Sequence, residues 1–336
     1  MGSISSIMSG CMAAGKPRIA ILMAVYEPRM DWLREQLLSL EAQTYPNLKL
    51  YIREDHSPTV PFGKIEDCVK DCIHSFPYEI RRNEKNLGSN ETFQRLTEEA
   101  EGDYFAYCDQ DDIWLPEKLV VLQKEIETTG AELICSDMYI IDGDGKIAAD
   151  SITKVRRRHK FASGEGLAKE LLVRNFVTGC TMLVRAETAK ECVPFCPAMV
   201  HDYYIALCCA AKGAIQSVDR QLIRYRIHGG NQTGVLAGVR DKESYYRLRI
   251  LEMRDRFQWL KENWPYREDF WKELEQCTEW IQARQDNWNR VKGRKSIRRW
   301  WSFFPNKKTF LFECIASYLP MSIFKAAIWA GQKNYI

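Results

Sequence analysis

The stretch YCDQDDIWLP (107–116) places three carboxylates, Asp109, Asp111 and Asp112, directly after an apolar run and directly before Trp114. Charges of one sign packed this closely repel, so the cluster needs water or a cation to compensate it. It is therefore either an ordinary solvated loop or a place that holds a metal. Asp109-Gln110-Asp111 spaces two carboxylates one residue apart. Both can then reach one hard cation or one metal–diphosphate assembly, and Mg2+ and Mn2+ favour such oxygen ligands. A DxD triplet alone occurs by chance in many loops. Here it closes an apolar segment of strand length, DYFAYC (103–108), which gives it weight.

Working outward, the chain alternates. RIAILMAV (18–25), LKLYIRED (48–55), YEIRR (78–82), DYFAYC and AELICS (131–136) have the length and apolar content of strands. Helical periodicity lies between them at 30–43, 63–75, 90–100 and 116–129, the last opened by Pro116. Strand alternating with helix five times predicts an α/β fold with a mostly parallel sheet and helices on both faces. Ligands of such sheets sit at the carboxyl ends of the strands. Three strands end in polar residues, at Tyr26-Glu27, at Glu54-Asp55 and at Asp109. Neither GxGxxG nor GxxxxGK[ST] occurs, which removes the main support for dinucleotide-binding and P-loop readings.

Beyond residue 136 the pattern is mixed. DGDG (142–145) predicts a hairpin turn, and a basic run, KVRRRHK (154–160), precedes a helix. TGCTMLVR (178–185) predicts a strand, HDYYIALCCAAKG (201–213) a helix, AIQSVD (214–219) and RQLIRYRIH (220–228) two strands, and GGNQTG (229–234) a loop. Residues 240–290 are expected to be helical. The 336 residues are 46% hydrophobic and 28% charged, which suits one large domain with a smaller appendage. A net charge of +3 excludes a general polyanion binder, although the last fifty residues are basic. The twelve cysteines show no CxxC pair and no zinc spacing, so reduced, buried thiols of a cytoplasmic protein are expected. Residues 1–16 lack a basic n-region and a long apolar core and are expected to be a disordered leader.

Seven segments, in order, carry a resemblance: MAVYEP (23–28), RED (53–55), NEKNLGS (83–89), CDQDDIWLPEKL (108–119), TGCTMLVR (178–185), HD (201–202) and YRIHGGNQTG (225–234). Together they resemble a family 2 glycosyltransferase of the GT-A type, most of all the bacterial polysaccharide branch that includes rhamnosyltransferases. The resemblance covers residues 17–235 and leaves 236–336 as a helical C-terminal extension. It implies a nucleotide-sugar donor bordered by Val25, Tyr26 and Glu27, with Asp55 on the base and Asn86 and Gly88 approaching the nucleotide. Many members carry a DDGS-like run where this chain has Glu54-Asp55-His56-Ser57, which leaves the base open. It further implies that Asp109 and Gln110 contact the nucleotide, and that Asp109, Asp111 and His228 hold a divalent cation, Mn2+ or Mg2+. Asp112 then supports the loop. Asp202 falls at the general base, although an aspartate there also suits the start of a helix. Arg224 and Arg226 face either the diphosphate or solvent, and Trp114 either stacks on an acceptor sugar or is buried.

The resulting expectation is an inverting, metal-dependent transfer from dTDP-rhamnose or a UDP-hexose to a hydroxyl of a glycan or lipid-linked glycan, in bacterial surface polysaccharide synthesis. A non-catalytic nucleotide-sugar-binding protein on the same fold would lack Asp111 or Asp202, and both are present. A nucleotidyltransferase would need a Gly-rich loop at residues 23–29, and none is there. No QxxRW occurs, so a processive synthase is disfavoured. KGRKSIRRWWSFFPNKK (292–308) combines seven basic residues with aromatic ones but matches no nucleic-acid module. The apolar run 311–331 is interrupted by Glu313, Pro320 and Lys325, too often for a membrane span. This region either docks peripherally on the inner face of a membrane or packs on the core.

Overall fold

A computed structural model describes residues 15–156, 159–228, 236, 238–264, 266, 270–291, 297–304 and 307–333. The leader up to residue 14, the GGNQTG loop and the basic segment 292–296 lie outside the described residues. In chain order the first elements are β1 (Ile19–Val25), α1 (Met30–Glu41), β2 (Leu48–Glu54), α2 (Phe62–Cys72), β3 (Tyr78–Arg82), α3 (Ser89–Glu99) and β4 (Tyr104–Cys108). They continue with β5 (Ile113–Trp114), α4 (Lys118–Thr129), β6 (Leu133–Ile141), β7 (Ile147–Ala149), α5 (Ile152–Val155) and α6 (Ala168–Leu171). Next come β8 (Met182–Arg185), α7 (Ala186–Glu191), α8 (His201–Lys212) and β9 (Ile215–Arg226). The C-terminal helices are α9 (Lys242–Tyr246), α10 (Glu252–Asn263), α11 (Trp271–Trp288), α12 (Lys307–Ala316) and α13 (Met321–Lys333).

Among the described residues these strands form one nine-stranded sheet, ordered β3-β2-β1-β4-β8-β6-β9-β5, with β7 on β6. The pairings make β1, β2, β3, β4, β6 and β9 point one way and β5, β7 and β8 the other. The predicted parallel run thus holds from β3 to β4. There β8 inserts antiparallel, between β4 and β6, so that β6 regains the common direction. Two expected strands at 214–228 are one twelve-residue strand. Its register against β6 shifts on either side of Asp137, and those bulges absorb what the sequence presents as a break.

The central strands are apolar on both faces because both are covered. Leu22, Phe105, Tyr107 and Cys135 pack with α3 and α8, whereas Ile21, Met23, Cys108 and Ile134 pack with α1, α2 and α4. α10 and α11 join the first of these cores: Tyr204 of α8 meets Trp259 and Trp264 edge-on, with centroids 5.4 and 6.3 Å away. α12 and α13 close a small third core through Ala316, Phe324 and Ile328 against Tyr245. The aromatics expected at a membrane therefore divide: Trp300 and Phe304 are buried, while Trp301 is exposed. Among the described residues no helix is long and apolar enough to cross a membrane. The described cysteines are unpaired, and all but the half-buried Cys314 are buried.

Candidate active site

The carboxyl ends of the co-directional strands meet the N-terminus of α8 at one edge of the sheet. At the end of β1, Val25 is buried and its carbonyl accepts the Asp55 amide at 2.8 Å. Tyr26 leaves the strand with its side chain 44% exposed. Its main chain is clasped by Gln110: the Tyr26 N–H donates to Oε1 at 2.8 Å, and Nε2 donates back to the Tyr26 carbonyl at 3.0 Å. Both ends of the Gln110 amide are thus used in fastening the DQDD loop to β1. The Glu27 carboxylate accepts from Thr59 N at 2.7 Å, Val60 N at 3.3 Å and the Thr59 hydroxyl. Those bonds, led by the Thr59 hydroxyl, hold its carboxyl below the ordinary range. Glu27 therefore shapes the loop after β2.

Asp55 shapes the next loop. Its buried carboxylate accepts from Leu87 N, Gly88 N and Asn83 Nδ2, each at 2.8 Å. A carboxylate has about four lone-pair positions, so one remains. Asn86 donates to the Asp55 carbonyl at 3.3 Å, and Gly88, with φ 82°, turns the chain into α3.

The acidic loop is held on several sides. β5, which no periodicity announced, pairs Ile113 and Trp114 with Arg224 and Ile223 of β9. The Arg226 N–H donates to Asp112 Oδ1 at 2.9 Å. The buried Arg226 guanidinium donates to the carbonyls of Asp111 (2.8 Å), Asp142 (3.2 Å) and Gly143 (3.1 Å) and pairs with Glu35. Of the two directions expected, diphosphate or solvent, Arg226 is thus not turned to solvent, whereas Arg224 is exposed. Trp114 is buried, and its main-chain N–H donates to Ser39 Oγ at 3.0 Å. The Lys118 ammonium lies 3.0 Å from the Trp114 ring centroid and donates to the Cys180 carbonyl at 2.6 Å, fully buried. Nothing in the sequence marks this lysine, because PEKL looks like an ordinary exposed helix start.

The electrostatics are those of a site with positive charge to receive. Burial, then Asp111 and Asp202, push Asp109 up to about 7. Burial, then Asp111 and Asp109, raises Asp112 well above its ordinary value. Burial alone takes Lys118 down to about 7. Ligand atoms of Asp109, Asp112 and Cys180 lie within 4.8 Å of one another, and Asp111 Oδ2 meets His228 Nε2 at 2.6 Å. The His228 ring rests on Trp32, with centroids 4.9 Å apart. Carboxylate and imidazole are ligand types that a hard divalent cation accepts. The cluster that closes within 4.8 Å among the described residues holds Asp109 and Asp112 but neither Asp111 nor His228, and Asp112 Oδ2 is a buried oxygen without a hydrogen-bond partner among the described residues. The Cys180 thiol does not fit such an ion: burial raises it well above its ordinary value, and only the thiolate is a good ligand.

Asp202 enters from the other side, in the first turn of α8 and buried. Its Oδ2 accepts from Gly179 N at 2.9 Å, and its Oδ1 has no hydrogen-bond partner among the described residues. Burial pushes it up to about 6, opposed by the Gly179 amide. A Cβ on residue 179 would come within 3.0 Å of His201 Nε2 and 3.3 Å of Asp202 Cβ, so a side chain there would make these two residues give by a few tenths of an ångström. His201 stacks on Phe93 at 4.0 Å, and burial holds it down at about 3, hence neutral.

The fold and the family match together make the chain a glycosyltransferase. The family model for Glycosyl transferase family 2 matches residues 20–192, and the chain belongs to that family. It is 25% identical over 242 residues to an uncharacterised glycosyltransferase of Methanocaldococcus jannaschii, covering 70% of this chain and 79% of that one. It is 23% identical over 244 residues to the dTDP-rhamnosyl transferase RfbG of Shigella flexneri, covering 68% and 78%. The crystal structure of S. aureus TarS 1–349 in complex with UDP-GlcNAc superposes with a TM-score of 0.56 at 14% identity, over 95% of this chain and 88% of that one. The mannosyltransferase PcManGT of Pyrobaculum calidifontis, in complex with GDP-Man and Mn2+, gives 0.53 at 11% identity, over 95% and 87%. At such identities the shared property is the GT-A fold. Asp202 and His228 lie beyond the matched segment.

Proposed function

We propose that this chain is an inverting, cation-dependent transferase of bacterial surface polysaccharide synthesis, acting in the cytoplasm. It moves a sugar from dTDP-rhamnose or a UDP-hexose to a hydroxyl of a glycan or lipid-linked glycan. One observation carries the reading: a buried aspartate with one oxygen held and one unpartnered, close enough to Asp109 to raise its proton affinity. As the acceptor oxygen bonds the anomeric carbon, its proton passes to Asp202 Oδ1. The bond to the diphosphate breaks on the opposite face, and the centre inverts. The Tyr26 ring is free to stack on the base, with Val25, the last position on Asp55 and the Asn86–Gly88 loop around it. Gln110 and Glu27 act through the loops they fasten. Asp109, Asp111 and His228 would hold a divalent cation, which would supply positive charge to the departing diphosphate. Residues 17–235 form the transferase unit, with 1–16 as leader and 236–336 as extension.

The test is a donor panel of dTDP-rhamnose, UDP-galactose, UDP-glucose and GDP-mannose with Mn2+ or Mg2+, read by donor hydrolysis and by thermal unfolding. A bound donor at a hundredfold excess over Kd stabilises by about 2.7 kcal/mol, a shift of several degrees. If no nucleotide sugar hydrolyses or protects, the reading is overturned.

A further inference from the structure

The last described stretch combines two surface properties. Trp301, Leu311, Ile315, Tyr318, Ile323 and Trp329 are each 52–61% exposed. Leu311, Ile315 and Tyr318 follow a 4-then-3 spacing, so they form one stripe down α12 and into its corner with α13. The opposite faces of these helices already bury Ala316, Phe324 and Ile328 against the protein. A helix that only covered a core would be polar outward. These two are apolar on both sides.

The charge is equally one-sided. Arg298, Arg299, Lys307, Lys308 and Lys325 are exposed along this stretch. Its one acidic residue, Glu313, is turned inward onto Arg284. Between α13 and residues 238–240 lies a cavity of about 450 Å3, lined by Arg240, Lys325 and Trp329 among others. Gln332 Nε2 bonds the carbonyls of Leu236 (3.1 Å) and Val239 (3.0 Å), which fixes that wall. Asp241 feels the Lys325 charge, but its carboxylate is committed to the amide and hydroxyl of Ser244. Exposed aliphatic side chains, tryptophans and a tyrosine beside cations, with no outward carboxylate, suit an anionic bilayer interface. Two cations and an indole lining one cavity in that surface suit a phosphate.

We infer that the outer face of α12 and α13, with Trp301, docks on an anionic bilayer and that the Arg240–Lys325 cavity takes a lipid phosphate. This deepens the proposed function, since it names how the chain would reach a lipid-linked acceptor, but lipid binding itself does not depend on that reading. The experiment is flotation of the full chain with vesicles of phosphatidylcholine alone or mixed with phosphatidylglycerol. Binding is expected to the mixed vesicles, weakening as salt rises. Leu311→Asp with Ile315→Asp, and separately Arg240→Glu with Lys325→Glu, should each lower partitioning roughly tenfold or more. These positions are exposed, and thermal unfolding of each variant checks that it folds. Absence of flotation, or flotation that both double variants leave unchanged, overturns the inference. So does protection by inorganic phosphate without vesicle binding, or loss of the apolar face to self-association or a protein partner instead. Donor protection measured on the same preparations separates the outcomes: if it persists while vesicles are ignored, only this inference falls.

Discussion

Asp202 has two oxygens in two conditions. Oδ2 is held by the Gly179 amide at 2.9 Å, and Oδ1 is buried without a partner among the described residues. Asp202→Asn keeps an oxygen for Gly179 and removes the proton acceptor. Donor protection should therefore persist while transfer falls by about a hundred- to ten-thousandfold. Undiminished transfer would take Asp202 out of the base role. Burial pushes this carboxyl up to about 6, so it takes up its proton at a higher pH than an ordinary aspartate. In the proposed role the ionised form is the one that takes the acceptor's proton. Transfer at saturating donor should accordingly fall below about pH 6, tenfold per unit, and the asparagine variant should lack that acid limb. In the sequence, Asp202 was legible as half of an HD pair, as were the acids at the strand ends. What each acid bonds was not. Asp55 and Gln110 read as nucleotide contacts because a carboxylate or amide suits a ribose as well as it suits a backbone amide; here three donors occupy Asp55, and the Tyr26 main chain occupies Gln110.

At the scale of elements, the acidic loop is suspended between β1, β9 and the turn at Gly179–Thr181. Lys118 makes the last of these connections, and the same turn presents the Gly179 amide to Asp202. Lys118→Met preserves length and removes the charge, leaving the buried Cys180 carbonyl without its donor. A loss of about 1–3 kcal/mol in stability is expected. Since the link runs to the turn that holds Asp202, kcat should drop several times more than donor KM rises. Denaturant unfolding and steady-state kinetics measure the two effects. Equal changes in kcat and KM would reduce Lys118 to packing. The alternation of strand and helix up to α4 was legible because each element is long and its apolar period is clear. β5 was not, since two residues carry no period and its pairing is set by β9, more than a hundred positions away. The antiparallel entry of β8 was equally hidden, because strand direction is decided by connections rather than by composition.

Over the whole molecule, the C-terminal helices are fastened by a buried ion pair. Arg284 Nε donates to Glu313 Oε2 at 2.7 Å, Tyr245 donates to Oε1 at 2.7 Å, and both charged side chains are 5% exposed or less. In the sequence Glu313 only interrupted an apolar run; its partner lies on another helix, which no local pattern reveals. Glu313→Gln leaves Arg284 buried without a counter-charge and should destabilise by about 3–5 kcal/mol, read as a lower denaturant midpoint. Replacing both residues by Leu and Met should restore much of that loss. The sharing of one apolar core by α8, α10 and α11 was likewise invisible, because tryptophans and charges in an outer helix do not say which surface they meet. The cavity at Arg240 has one more consequence, a matter of reach. Arg240 is twelve residues from His228, and twelve residues of extended chain span at most about 40 Å. The cationic wall of that cavity is therefore within about 40 Å of the histidine that meets the acidic loop. An acceptor carried on a lipid would need no more than that length between its anchor and the hydroxyl it offers.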